Sequence, residues 1–124
     1  MTKILIVDDD ADITLAFKKG LENDGFKVDV FNDPLQALLN FKASNYDLLL
    51  LDIRMPKMNG FELYKEIEKI DNGVKVCFIT AYEVYYEALR EVFPSLEVEC
   101  FIRKPIEIAS LVKKIKSELN LSDS

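Results

Sequence analysis

Hydrophobic and polar positions along this chain fall into short blocks whose period switches back and forth. KILIVD, residues 3–8, is an apolar run ending in acid. ADITLAFKKGLENDG, residues 11–25, then spaces Ile13, Phe17 and Leu21 at helical intervals and stops at Asn23-Asp24-Gly25. KVDVF, residues 27–31, alternates as a strand does. Asp33-Pro34 opens a second helix, with Asp33 placed to cap and Pro34 at the first helical position. Leu35, Leu38, Leu39 and Phe41 are the expected apolar face of that helix. Four leucines, residues 48–51, carry a third strand to Asp52. Gly60 begins a third helix, with Phe61, Leu63, Tyr64, Ile67 and Ile70 inward or near it, broken by Asp71-Asn72-Gly73. VKVCFIT, residues 74–80, reads as a fourth strand, 83–93 as a helix, and EVECFI, residues 97–102, as a fifth strand. After Lys104-Pro105, the residues Ile108, Leu111, Val112, Ile115 and Leu119 mark a last helix.

Strict alternation of strands and helices predicts an α/β fold, a parallel sheet with helices on both faces. It also accounts for the leucine run, because a central parallel strand is buried on both sides and need not alternate. The 124 residues, 49% of them hydrophobic, suffice for one domain with a real core, expected over 1–120 with 121–124 as a polar tail. A net charge of −6 argues against nucleic acid as a direct partner. Lys113, Lys114 and Lys116 alternate with apolar residues and read as the wet face of a helix. No run is long and apolar enough for a membrane span, and residues 1–9 enter a strand-like pattern without a signal-peptide layout. Cys77 and Cys100 each lie in an apolar, strand-like segment, so two small buried core residues in a reduced, cytoplasmic protein are the default. With no histidine, histidine-based catalysis and a Cys/His zinc site are excluded.

Ligands of open α/β sheets bind beyond the carboxyl ends of the strands, where the strand order switches. This chain places Asp8, Asp9 and Asp10 at the end of strand one, Asp52 at the end of strand three and Thr80 at the end of strand four, with Lys104 just after strand five. Strand two ends in Phe31-Asn32, which offers little. One of the three consecutive acids has a simpler role, and Asp10 is placed to cap the first helix. Carboxylates about 4 Å apart repel by about 4 kcal/mol at an effective dielectric near 20. Such a cluster either keeps a proton or takes a hard cation, and Mg²⁺, which prefers oxygen ligands and retains waters, fits.

The stretches KILIVDDD, LLLLDIRMPKMNG, FITAY and FIRKP, in that order and register, resemble a response-regulator receiver domain. The resemblance implies a flavodoxin-like sheet of order 2-1-3-4-5 and a role as phosphoacceptor in two-component signalling. It implies Asp52 as the phosphorylated residue, Asp8 and Asp9 as the Mg²⁺ pocket with the carbonyl of Arg54 as a third protein ligand, and Thr80 and Lys104 on the phosphoryl group. It further implies Phe101 as the switch aromatic, a cis Lys104-Pro105 bond, and a sensor histidine kinase or phosphotransfer protein as donor. Output would run through the fourth helix, fifth strand and last helix, toward a homodimer or effector. Pro56 biases Met55 toward extended geometry, which suits a loop that turns carbonyls toward a metal. Such a domain accepts a phosphoryl group rather than turning over a substrate, while assisting its own phosphorylation and dephosphorylation.

Several positions depart from the family pattern. Phe101 lacks a hydroxyl, Tyr82 and Arg54 are large residues expected over the pocket mouth, and Phe93-Pro94-Ser95-Leu96-Glu97 replaces the usual Gly-Ala. The helix expected over residues 82–93 has an apolar arc nearly twice as wide as a surface helix needs, which points to a docking flank at Tyr86. Three rival readings carry their own demands. A flavodoxin-like cofactor protein wants a Ser/Thr/Gly-rich phosphate loop, where this chain has three acids. An aspartyl-phosphate phosphohydrolase of haloacid-dehalogenase type wants a second acid where Arg54 stands. A degenerate receiver that only scaffolds has no need of the intact Asp8, Asp9, Asp52, Thr80 and Lys104.

Overall fold

The computed structural model describes residues 2–81 and 100–121. The elements in chain order are β1 (Lys3–Val7), α1 (Ala11–Asn23), β2 (Lys27–Phe31), α2 (Pro34–Asn40), β3 (Leu48–Asp52), α3 (Gly60–Glu68), β4 (Lys75–Thr80), β5 (Phe101–Arg103) and a C-terminal helix (Ile108–Glu118). All strand pairs are parallel and the sheet order is β2-β1-β3-β4-β5. This is the doubly wound arrangement that the alternation predicts.

The pleat divides the core in two. Ile4, Ile6, Leu48, Leu50, Cys77 and Ile102 meet α1 and the C-terminal helix through Phe17, Leu21, Leu111 and Ile115. Leu5, Val7, Leu49, Leu51 and Phe78 meet α2 and α3 through Ala37, Phe61, Leu63 and Ile67. Every residue of β3 is buried, so alternate leucines serve opposite layers and none is free to be polar. Asp10 caps α1, its carboxylate accepting from the N–H groups of Asp12 and Ile13, as expected of the third acid. Asp33 caps α2 with Pro34 inside the first turn.

Three expectations need correction. The face of α2 is rotated from the one predicted: Pro34 and Ala37 are buried and Leu38 packs partly buried against the core as expected, whereas Leu35 and Leu39 point to solvent, Leu39 at 78% exposure. The helix stops at Asn40, and Phe41 turns extended to bury its ring. A seven-residue helix makes too few turns for leucine spacing alone to set its phase, and the Pro34 end is held by its cap. Ile70 lies beyond α3 and is exposed. Cys77 and Cys100 are buried as expected but joined as a disulfide. The register that pairs Phe78 with Phe101 sets them side by side, a relation that a separation of 23 residues in the chain does not reveal. The expectations for Tyr82, Tyr86 and the rest of 82–99 lie outside the described residues. The Lys104-Pro105 bond is cis.

Candidate functional site

β1 and β3 are neighbours at the point where the chain reverses its winding, and their carboxyl ends bring Asp8 and Asp52 together. Asp8 is 1% exposed and Asp52 5%. Asp9 is exposed beside them, and carboxylate oxygens of all three lie within 4.8 Å of one another. Lys104 arrives from the far side. Its backbone N–H continues the ladder to the carbonyl of Thr80 at 2.9 Å, and its ammonium donates to Asp8 Oδ2 at 2.6 Å and lies 3.6 Å from Asp52 Oδ2. Thr80 closes β4 and is buried.

The loop after Asp52 is folded back over the strand end. Ile53 N–H donates to Ile79, and Gly60 N–H returns to the carbonyl of Ile53. Glycine is required at position 60, because a Cβ there would overlap the Asp52 carbonyl oxygen. Asn59 and Glu62 form a reciprocal capping box that fixes the start of α3. Arg54, Met55 and Pro56 wall one side of an open cleft of about 940 Å³, with Asp8, Asp9, Asp10, Asp52, Ala81 and Lys104 around it.

Burial pushes the Asp52 carboxyl up to about 7, and the charge of Asp8 pushes the same way against the pull of Lys104. Burial alone disfavours the Lys104 ammonium, but its hydrogen bond to Asp8 and the charges of Asp8 and Asp52 outweigh that, and its pKa lies above the ordinary lysine value. Asp8 and Asp52 share the Lys104 ammonium and Asp9 stands beside them, so the acids outnumber the ammonium that meets them. An all-oxygen donor set of this kind, part buried and part open to water, fits Mg²⁺. A second cluster, Cys77, Cys100 and Glu118, also brings possible ligand atoms within 4.8 Å. Its sulfurs are bonded to each other and offer no thiolate.

Asp8, Asp9, Asp52, Arg54 and Lys104 thus meet at one cleft, with Thr80 at the adjoining strand end. What the sequence reading passed over is Asn32. Its side-chain amide donates to the Asp8 carbonyl and to the Thr14 hydroxyl, both at 2.9 Å. The available signal was an amide residue at the rim of the strand next to β1.

A five-stranded parallel sheet of this order, with acids and a lysine converging at its switch point, defines a receiver-type signalling domain. The model of the response regulator receiver domain family matches residues 4–116. The chain belongs to this family: it is a receiver domain of two-component response regulators, a signalling domain and not an enzyme in the ordinary sense. It is 39% identical over 124 residues to a Haemophilus influenzae protein named transcriptional regulatory protein CpxR homolog, covering 100% of this chain and 53% of that one. It is 31% identical over 119 residues to the transcriptional regulatory protein PrrA of Mycobacterium leprae, covering 94% and 49%. The chain therefore spans about half the length of the curated relatives it matches. Among solved structures, response regulator TrrA of Thermotoga maritima in complex with Mg²⁺-BeF superposes with a TM-score of 0.80 at 32% identity, over 95% of this chain and 99% of that one. No helix among the described residues is long and apolar enough to cross a membrane.

Proposed function

We propose that Asp52 is the phosphoacceptor of this domain and that Asp8, Asp9, Asp52 and the Arg54 carbonyl hold Mg²⁺. The observation that carries this is the placement of a buried carboxylate at the end of β3, 3.6 Å from the Lys104 ammonium and beside two further acids. An Asp52 oxygen attacks phosphorus, an O–P bond forms, and the bond to the donor breaks with its electron pair leaving on the donor. Lys104 and the Thr80 hydroxyl pair with phosphoryl oxygens, and the burial that makes Asp52 hard to ionise also keeps the product in a site of fixed charges. Mg²⁺, when bound, supplies the positive charge that the carboxylates lack.

The donor in this reading is a sensor histidine kinase or a phosphotransfer protein. The domain assists the transfer and the later loss of phosphate, and residues 1–120 are the working unit. Phosphorylation draws Thr80 inward and lets Phe101 repack against Phe61 and Phe78, whose ring centroids lie 6.4 and 6.1 Å from its own. The face around β5 and the C-terminal helix then binds a second copy or an effector. Sedimentation with and without a beryllofluoride mimic tests that step, and a face that binds equally in both states removes it. The reading places the protein in the cytoplasm, where a reducing environment would hold Cys77 and Cys100 as thiols. Alkylation at lysis followed by mass measurement tells the thiol pair from the disulfide.

Acetyl phosphate with Mg²⁺ should add one phosphoryl group to the intact mass, and Asp52→Asn should remove the gain. Equal labelling of that variant, or labelling in excess chelator, overturns the assignment.

A further inference from the structure

We propose that Asn32, acting with Thr14, is a positioning residue for the acid pocket: it fixes the peptide between Asp8 and Asp9 and so sets where Asp9 stands. The inference rests on the reading of Asp8, Asp9 and Asp52 as the Mg²⁺ site, and adds two residues that touch neither the metal nor the phosphoryl group.

The chain leaves β2 at Asn32 to enter α2, so the backbone ladder that holds β1 ends there. Asp8 N–H still donates to the Phe31 carbonyl at 3.2 Å. Its own carbonyl has lost a backbone donor on that side, and the Asn32 amide replaces it at 2.9 Å. The second amide hydrogen goes to Thr14 Oγ1 at 2.9 Å, and that hydroxyl passes its hydrogen to the Ala11 carbonyl at 3.0 Å. Thr14 is 1% exposed, so no water competes for its hydroxyl. The path therefore runs from the first turn of α1, through Thr14 and Asn32, to the Asp8 carbonyl.

The peptide that carries this carbonyl leads directly into Asp9. On its other side, Asp8 Oδ1 accepts from Asp10 N–H at 3.0 Å. Asp8 is thus held at its N–H, its carbonyl and its carboxylate. Asp9 is exposed, and among the described residues its side chain makes no hydrogen bond or ion pair. Its distance from Asp52 is set by the backbone on which it rides. Outer residues that orient metal ligands characteristically act in this way, and losing one weakens metal affinity by about 10–100-fold.

The test is Mg²⁺ titration of the full chain, following the Asp9 and Asp10 amide resonances, with no phosphoryl donor present. Asn32→Ala and Thr14→Val should each raise the Mg²⁺ Kd, Asn32→Ala by about tenfold. Thr14→Ser keeps the hydroxyl and should bind as the wild type does. A purely structural role would lower the unfolding temperature of all three in step with lost packing and leave the Kd of the folded protein unchanged. Thr14→Val carries the test alone if Asn32→Ala does not fold. The proposal is overturned if the folded variants bind Mg²⁺ like the wild type while Asp9→Asn binds weakly, and the pocket reading beneath it survives that result. If Asp9→Asn and Asp52→Asn also leave the Kd unchanged, the pocket reading falls and the proposal with it.

Discussion

Two carboxylates in this sheet each face a lysine, and they are driven in opposite directions. Asp52 shares Lys104 with Asp8 in a dry corner, and burial lifts its carboxyl to about 7. Asp29, midway along β2, accepts a hydrogen bond from the Tyr46 hydroxyl at 2.7 Å and has the Lys3 ammonium at 3.3 Å. The Tyr46 bond holds its carboxyl below the ordinary value of 3.8, with Lys3 helping and partial burial opposing. Tyr46 is shifted upward in turn, by burial first and by Asp29 second. One cluster has more acid than base and little water, the other more donors than acceptor and open access to solvent. The first is left wanting positive charge, which is what a metal and a phosphoryl transfer site need. The second is satisfied as it stands and serves only to pin β2 and the approach to β3.

The largest expected effect separates the two lysines. Lys104→Ala should slow phosphoryl uptake from acetyl phosphate by about 100-fold, the scale of removing one electrostatic contact from a transferring group. Lys3→Ala should leave the rate unchanged. Intact-mass time courses read both, and equal slowing by the two would erase the distinction.

The next effect is on stability. Folded Asp52 keeps its proton up to about pH 7, whereas the unfolded chain releases it near 3.8, so folding takes up a proton between these values. Without metal, this group makes stability fall as pH rises from about 4 to about 7, then level off. Asp52→Asn should remove that slope and exceed the wild type above pH 7 by on the order of 2 kcal/mol, since a crowded charge is gone. Urea midpoints in excess chelator at pH 5 and pH 8 test this, and parallel curves for both proteins would count against charge crowding. Asp29 has the opposite sign. Its folded pKa lies below 3.8, so its contribution is present above that value and lost as pH falls through the folded pKa. Asp29→Asn should therefore lower the urea midpoint at pH 8, where that contribution is present, and blunt acid sensitivity below pH 4, where the wild type loses it.

A smaller effect sharpens the contrast. Tyr46→Phe deletes one hydrogen bond to a carboxylate that is itself half in water and should cost about 1 kcal/mol in urea denaturation. Phosphoryl uptake should not change. A slower uptake would mean that the Asp29 cluster is coupled to the acid pocket after all.

Much of this was legible in the chain itself. Strand and helix periods are local, so the order of elements, the buried β3 and the caps at Asp10 and Asp33 follow from residues a few positions apart. The convergence of Asp8, Asp9, Asp52, Thr80 and Lys104 needed one further rule, that parallel sheets gather their ligands at the carboxyl ends of the strands. That rule speaks about strand ends and says nothing of what stands beside them. The tertiary structure alone decided the rotation of α2, which depends on how a short capped helix seats on its neighbours. It alone paired Cys77 with Cys100 and Asp29 with Tyr46, since register between distant strands determines which side chains meet. Asn32 belongs with these. An asparagine after a strand is an ordinary turn residue until the strand beside it ends in a carbonyl with no backbone donor, and that relation exists only once β2 lies against β1.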